Sequence, residues 1–131
     1  MTNESDLDAA YAKRRAVLGD AYVDAQTAET NPTLQEFQDH ITMQAWGVWA
    51  REGALSTRDR SLLTLAITAA LGRMDEFKIH VGARRRAGVS DAEIEELLFQ
   101  LAAYGGGPAG LSAKRALAEV RAAEAEGDGP A

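Results

Sequence analysis

The chain has 131 residues, with 14 Lys plus Arg against 20 Asp plus Glu, a net charge of -6 and no cysteine. The acidic balance repels phosphate backbones, which argues against nucleic acid as a partner. The absence of thiols excludes disulfides, thiolate catalysis, iron–sulfur clusters and zinc–sulfur sites.

Apolar residues make up 46% of the chain, enough to build a core in the single domain, residues 1–131, that this length suggests. No uncharged run approaches the roughly 18 residues needed to cross a bilayer. The opening MTNESDLDAAYAKRR is acidic and then basic, without the apolar segment of a signal peptide, so a cytoplasmic protein with no membrane partner is expected. Ala and Leu are plentiful, prolines number only 3, and alternating β-branched runs are missing, which predicts an all-α fold of about six helices.

In chain order, a first helix is expected over about residues 5–18, followed by a linker through Asn31-Pro32. A second opens at Thr33-Leu-Gln-Glu36, a capping-box pattern, and carries Phe37, Ile41, Ala45, Val48 and Trp49 at helical spacing. Ser56 caps a third, about 57–71, almost wholly apolar after Ser61, which marks a central helix or a subunit contact. The fourth spans about 73–87. The fifth starts at Ser90, where Ser90-Asp-Ala-Glu93 is a second capping box. The last begins near Pro108, after the Gly105–Gly107 hinge. Gly19, Gly53, Gly72 and Gly88 stand where helix-terminating glycines belong. Residues 1–6 and the acidic 124–131 read as flexible ends.

On the fourth helix, Glu76 and His80 are four residues apart and share one face. Such a pair is either a solvated contact that stabilises the helix or an acid/base dyad, in which a carboxylate favours the imidazolium and orients its ring. Arg58 and Arg60, at the start of the third helix, suit bidentate capture of carboxylates; the alternative is neutralisation by Asp59 and nearby acids. Arg84-Arg85-Arg86 reads as a solvated final turn favourable to the helix dipole. Trp46 and Trp49 read as core, and Tyr104 either offers its hydroxyl to a pocket or plugs a helix end. His40 and His80 lack metal-site spacing, so no metal or other cofactor is expected.

The segments KRRAVLGDAYVD (13–24), LQEFQDHITMQAWG (34–47), RSLLTLA (60–66), EFKIH and RAGVSDAEIEELLFQLAAYGGGPA resemble the carboxymuconolactone decarboxylase family over nearly the whole chain. The resemblance implies an AhpD-like helical fold and a homo-oligomer, trimeric or hexameric. The thiol peroxidase branch of that fold carries a CxxC pair at positions that fall here on Arg73 and Glu76, so its chemistry is excluded by the missing sulfur. The decarboxylase branch implies cofactor-independent loss of carbon dioxide from a carboxylated lactone, giving an enol-lactone in protocatechuate breakdown. By the same resemblance His80 donates the proton and Glu76 tunes it, while Arg58 and Arg60 bind the anionic substrate; Trp46 and Tyr104 are further candidate substrate contacts from their residue type. The chain departs from the family pattern at Gln44, Gly105, Gly110 and Leu111. Those departures raise two other readings: a paralogue that decarboxylates or isomerises a different carboxylate or lactone in natural-product biosynthesis, or a non-catalytic ligand-binding oligomer, marked by an occluded His80.

Overall fold

The computed structural model describes residues 4–128, and every regular element among them is helical. By its internal packing the chain divides into two compact units, one ending at Ala54 and the other starting at Leu55. None of the described helices is long and apolar enough to cross a membrane. The expected flexible ends fall partly on residues 4–6, within the first helix, and on 124–128, within a terminal turn; the remainder lies outside the described residues.

The first unit holds α1 (Glu4–Leu18), α2 (Asp20–Thr27) and α3 (Pro32–Trp49). α1 packs on α3 through a polar seam: Tyr11 Oη donates to Asp39 at 2.6 Å, and Arg14 Nη1 donates to Gln38 at 2.8 Å and Thr42 at 2.9 Å. Where a linker was expected, Asp20–Thr27 is helical. Eight polar-rich residues carry too little periodicity to signal a helix; burial of Val23 and the pairing of Arg15 with Asp20 and Asp24 hold it in place. The α3 cap is Asn31, whose side chain accepts from the Thr33 and Leu34 amides with Pro32 in the first turn, so the helix starts one residue ahead of the expected Thr33 box. Its buried stripe is Thr42, Trp46 and Trp49, whereas Phe37, Ile41 and Val48 are exposed.

The second unit contains α4 (Thr57–Ala70), α5 (Met74–Gly82), α6 (Arg84–Ala87), α7 (Asp91–Gly105) and α8 (Gly107–Ala123), which continues into a wide turn, Glu124–Asp128. Ser56 caps α4, and the Ser90–Glu93 capping box forms with both its bonds at the start of α7. The expected helix over 73–87 breaks at Ala83 (φ -89°, ψ 0°) into α5 and α6, one reason the described residues form eight α-helices where about six were expected. Leu65 and Ala69 of α4, Phe77 and Val81 of α5, Ile94 and Leu101 of α7, and Ala113, Ala116 and Leu117 of α8 form one apolar core.

The α7–α8 corner explains two glycines. Gly106, at φ 99°, adopts a backbone that other residues rarely accept, letting α8 fold straight back along α7. Gly110 faces α7 so closely that an added Cβ would sit 3.0 Å from the Ala102 Cβ.

Candidate active site

α4 and α5 form a helical hairpin joined at Leu71–Arg73, with Gly72 at φ 76° making the turn. On α5, Phe77 and Val81 lie on the core side, and helical spacing carries His80 and, beyond the break, Arg84 to that same side. His80 is 9% exposed. Burial disfavours its charged form and lowers its pKa to about 4, so in the single chain the imidazole is neutral near pH 7.

Glu76 stands one turn upstream and is exposed. The expectation that its carboxylate keeps His80 cationic is therefore corrected: the shift runs the opposite way, and its cause is burial. Solvent around Glu76 screens its field, while the apolar core around Phe77 and Val81 sets the environment of the ring.

The two arginines at the start of α4 separate. Arg58 donates to Asp59 at 3.1 Å and pairs with Glu93 of α7, so it ties the first turns of α4 and α7 together, the neutralised alternative raised by the sequence. Arg60 is half-buried. Next to it, Ser61 is completely buried with a hydroxyl that finds no hydrogen-bond partner among the described residues. In this unit Ser61 and Arg84 are buried polar groups that the sequence did not mark as buried. Ser61 is hidden in an apolar run and Arg84 in a basic one.

Arg84 is 2% exposed, which corrects the solvated reading at that position, while Arg85 is exposed as expected. Its Nη1 and Nη2 bind both carboxylate oxygens of Glu124 at 2.9 and 2.7 Å, its Nε donates to Asp91 at 2.7 Å, and Nη1 also donates to the Val81 carbonyl at 2.8 Å. A guanidinium can leave water when its planar fork is satisfied in this way.

Tyr104, at the end of α7, is 90% exposed and opens on an apolar groove of about 840 Å³ with Leu55, Leu62, Leu63 and Phe99. Leu111 belongs to another groove, about 640 Å³, between α7 and α8, with Leu98, Phe99 and Lys114. His80 lines neither groove. Trp46 is in the first unit, buried and stacked on Trp49 with ring centroids 4.8 Å apart, as a core residue would be. Gln44 is exposed on α3. Among the described residues, no three His, Asp or Glu side chains cluster in a way that could hold a metal ion.

Residues 35–119 match the carboxymuconolactone decarboxylase family. Over 121 residues, 92% of this chain and 90% of the relative, the sequence is 37% identical to 4-carboxymuconolactone decarboxylase of Acinetobacter baylyi. Over 101 residues, 76% of this chain and 70% of the relative, it is 36% identical to nitrosuccinic acid decarboxylase of Metarhizium robertsii.

Proposed function

Because the chain belongs to the carboxymuconolactone decarboxylase family, we propose that it is a cofactor-independent carboxy-lyase that converts 4-carboxymuconolactone, or a closely similar carboxylated lactone, to the enol-lactone. The observation that carries the reading is His80, a dry imidazole on α5 within the matched segment. In the reaction the bond to the departing carboxylate breaks, its electron pair delocalises into the unsaturated lactone, and a proton is delivered to carbon. The substrate is its own electron sink, so the protein has only to desolvate the carboxylate, hold the remaining oxygens and supply the proton.

His80 is the proton donor in this scheme, although it is neutral in the empty chain. A substrate carboxylate brought beside the ring favours the imidazolium, so the anion and the proton bind together and the proton is then passed to carbon. Arg60 and Arg58 hold spectator oxygens of the anion, with Arg58 exchanging part of its pairing to Glu93 for the substrate. Tyr104 is a further candidate contact, and Glu76 orients the ring once substrate is in place. The working form is a homo-oligomer, supported by apolar side chains left exposed on α4, at its end and on α7: Leu63, Ile67, Leu71 and Phe99.

A second reading is favoured by the similarity to nitrosuccinic acid decarboxylase: the same residues release carbon dioxide from a different acid whose activating group takes up the electrons. The non-catalytic reading has an occluded His80 in its favour, and two decarboxylase relatives against it.

The assay is ultraviolet-monitored turnover of 4-carboxymuconolactone, with nitrosuccinic acid in parallel. The expected result is turnover of the lactone that His80→Gln lowers by at least about a hundredfold, the scale of losing a proton donor, with helical circular dichroism unchanged. Turnover of the nitro acid alone moves the assignment to the second reading. Wild-type rates in His80→Gln would remove His80 as the acid.

A further inference from the structure

The Arg84 cluster joins three elements that otherwise end independently. α5 stops at Gly82, α7 starts at Asp91, and Glu124 begins the turn that follows α8. One guanidinium touches all three, and its bond to the Val81 carbonyl falls on the residue directly after His80. The surroundings are charged as well: Arg85 stands 3.9 Å from Glu124, and Arg121 lies 3.5 Å from Asp91 and 2.7 Å from Glu95.

A buried, fully engaged ion pair is poor evidence for stability, because apolar side chains of similar volume usually do as well or better. What such a pair supplies is directional geometry. α5 has nine residues and ends at Gly82, two positions after His80, and only the four-residue α6 follows the break at Ala83, so the bond from Arg84 to the Val81 carbonyl ties the last turn of α5 to α7 and to Glu124. We infer that the Arg84–Glu124 pair is a latch that sets the position of His80, making Glu124, forty positions beyond Arg84 in sequence, a positioning residue for the reaction.

The charges agree with this geometry. The hydrogen bond to Glu124 raises the Arg84 pKa despite burial, and the same bond lowers that of Glu124. At Asp91 partial burial works upward, but the bond and charge of Arg84, with Arg121, outweigh it and the net shift is down. All three groups are ionised at neutral pH, and the fork is closed. Lysine in place of Arg84 keeps the charge but loses the fork that reaches Glu124, Asp91 and Val81 together.

The inference rests on His80 being the proton donor, and the experiment separates the two. Glu124→Ala is made in the full chain beside Glu119→Ala, which removes another pairing of α8 with α5, the exposed Lys78–Glu119 contact at 3.2 Å. Two readouts are taken: kcat and KM on 4-carboxymuconolactone, and the ring proton–carbon NMR signal of His80, assigned with His80→Gln in a chain that has only 2 histidines. Glu124→Ala is expected to lower kcat about tenfold with KM within about twofold, the pattern of a displaced reacting group, and to move the His80 signal while helical circular dichroism is kept. Arg84→Lys should do the same, and Glu119→Ala should do neither. Unchanged kcat and an unchanged His80 signal in Glu124→Ala would overturn the latch. If that variant does not fold, Glu124→Gln is read by the same two measurements and decides in the same way. Should the wild type not turn over the lactone, the proposed reaction fails, while the His80 signal still decides whether the latch exists.

Discussion

A histidine held by burial at a pKa of about 4 makes stability depend on pH in a window of its own. The unfolded chain binds the proton near pH 6.5 and the folded chain binds it only near 4, so the unfolded state carries more protons between those values. Stability from keeping His80 neutral is complete above about pH 6.5 and is lost as the pH falls toward 4, on the order of 3 kcal/mol over the window. Denaturant unfolding at intervals from pH 7 to pH 4.5 should show wild type losing stability while His80→Gln stays nearly flat; parallel curves would mean that the ring is more solvated than its burial implies. Glu124 and Asp91 act in the same direction, because their pKa values are lowered in the folded chain. Their contribution is present above the ordinary carboxylate range and is lost as the pH falls through it, so it meets the histidine window only at its acid edge. That His80 lies on a helix one turn after Glu76 was legible from the pattern around it. Its charge was not, because i,i+4 spacing puts Glu76 nearby without saying which of the two is buried. Arg84 was illegible for a related reason. Three consecutive arginines look solvated until a glutamate forty positions away arrives to pair with one of them.

Helix ends were the most readable elements wherever a side chain satisfies the first free amides. Ser56 and the Ser90–Glu93 box cap α4 and α7 as their sequences require, because those bonds are local and need no tertiary partner. Asn31 outcompetes Thr33 at α3 since its carbonyl reaches two amides and Pro32 is already set for a first helical turn. α2 and the break at Ala83 were not readable. The first depends on burying Val23, and the second falls in a run whose composition is helical throughout. Gly110 makes the sharpest test at this scale. A Cβ at this position would meet Ala102 Cβ at 3.0 Å and its Cα at 3.6 Å. Alanine is the better helix former by about 1 kcal/mol, while overpacking costs about 1–3 kcal/mol. The neighbour is itself a rigid Ala on a helix, so packing wins, and Gly110→Ala is expected to lower the unfolding free energy by about 1 kcal/mol in urea titration. A stabilised variant would mean that α8 moves off α7 freely.

For the whole molecule, the notable feature is how much apolar surface remains in water. α3 exposes Leu34, Phe37, Ile41 and Val48; α4 exposes Leu63 and Ile67, with Leu71 just past its end; Phe99 on α7 is 74% exposed. Single exposed apolar residues need no explanation, but rows at helical spacing are the mark of a surface that is covered when the protein works. The all-apolar stretch of α4 was read as either central or a subunit contact: Leu65 and Ala69 enter the core, while Leu63 and Ile67 face outward. A charge placed on the outward surface leaves the single chain's core untouched but has to be desolvated in any assembly, at a cost of several kcal/mol. Wild type is accordingly expected to sediment as a trimer or hexamer, and Phe99→Glu to shift toward the 14.0 kDa single chain with its helical circular dichroism intact. Analytical ultracentrifugation at micromolar concentration decides it: a wild type that runs at the single-chain mass, or a Phe99→Glu variant that assembles as before, would remove α7 from the contact.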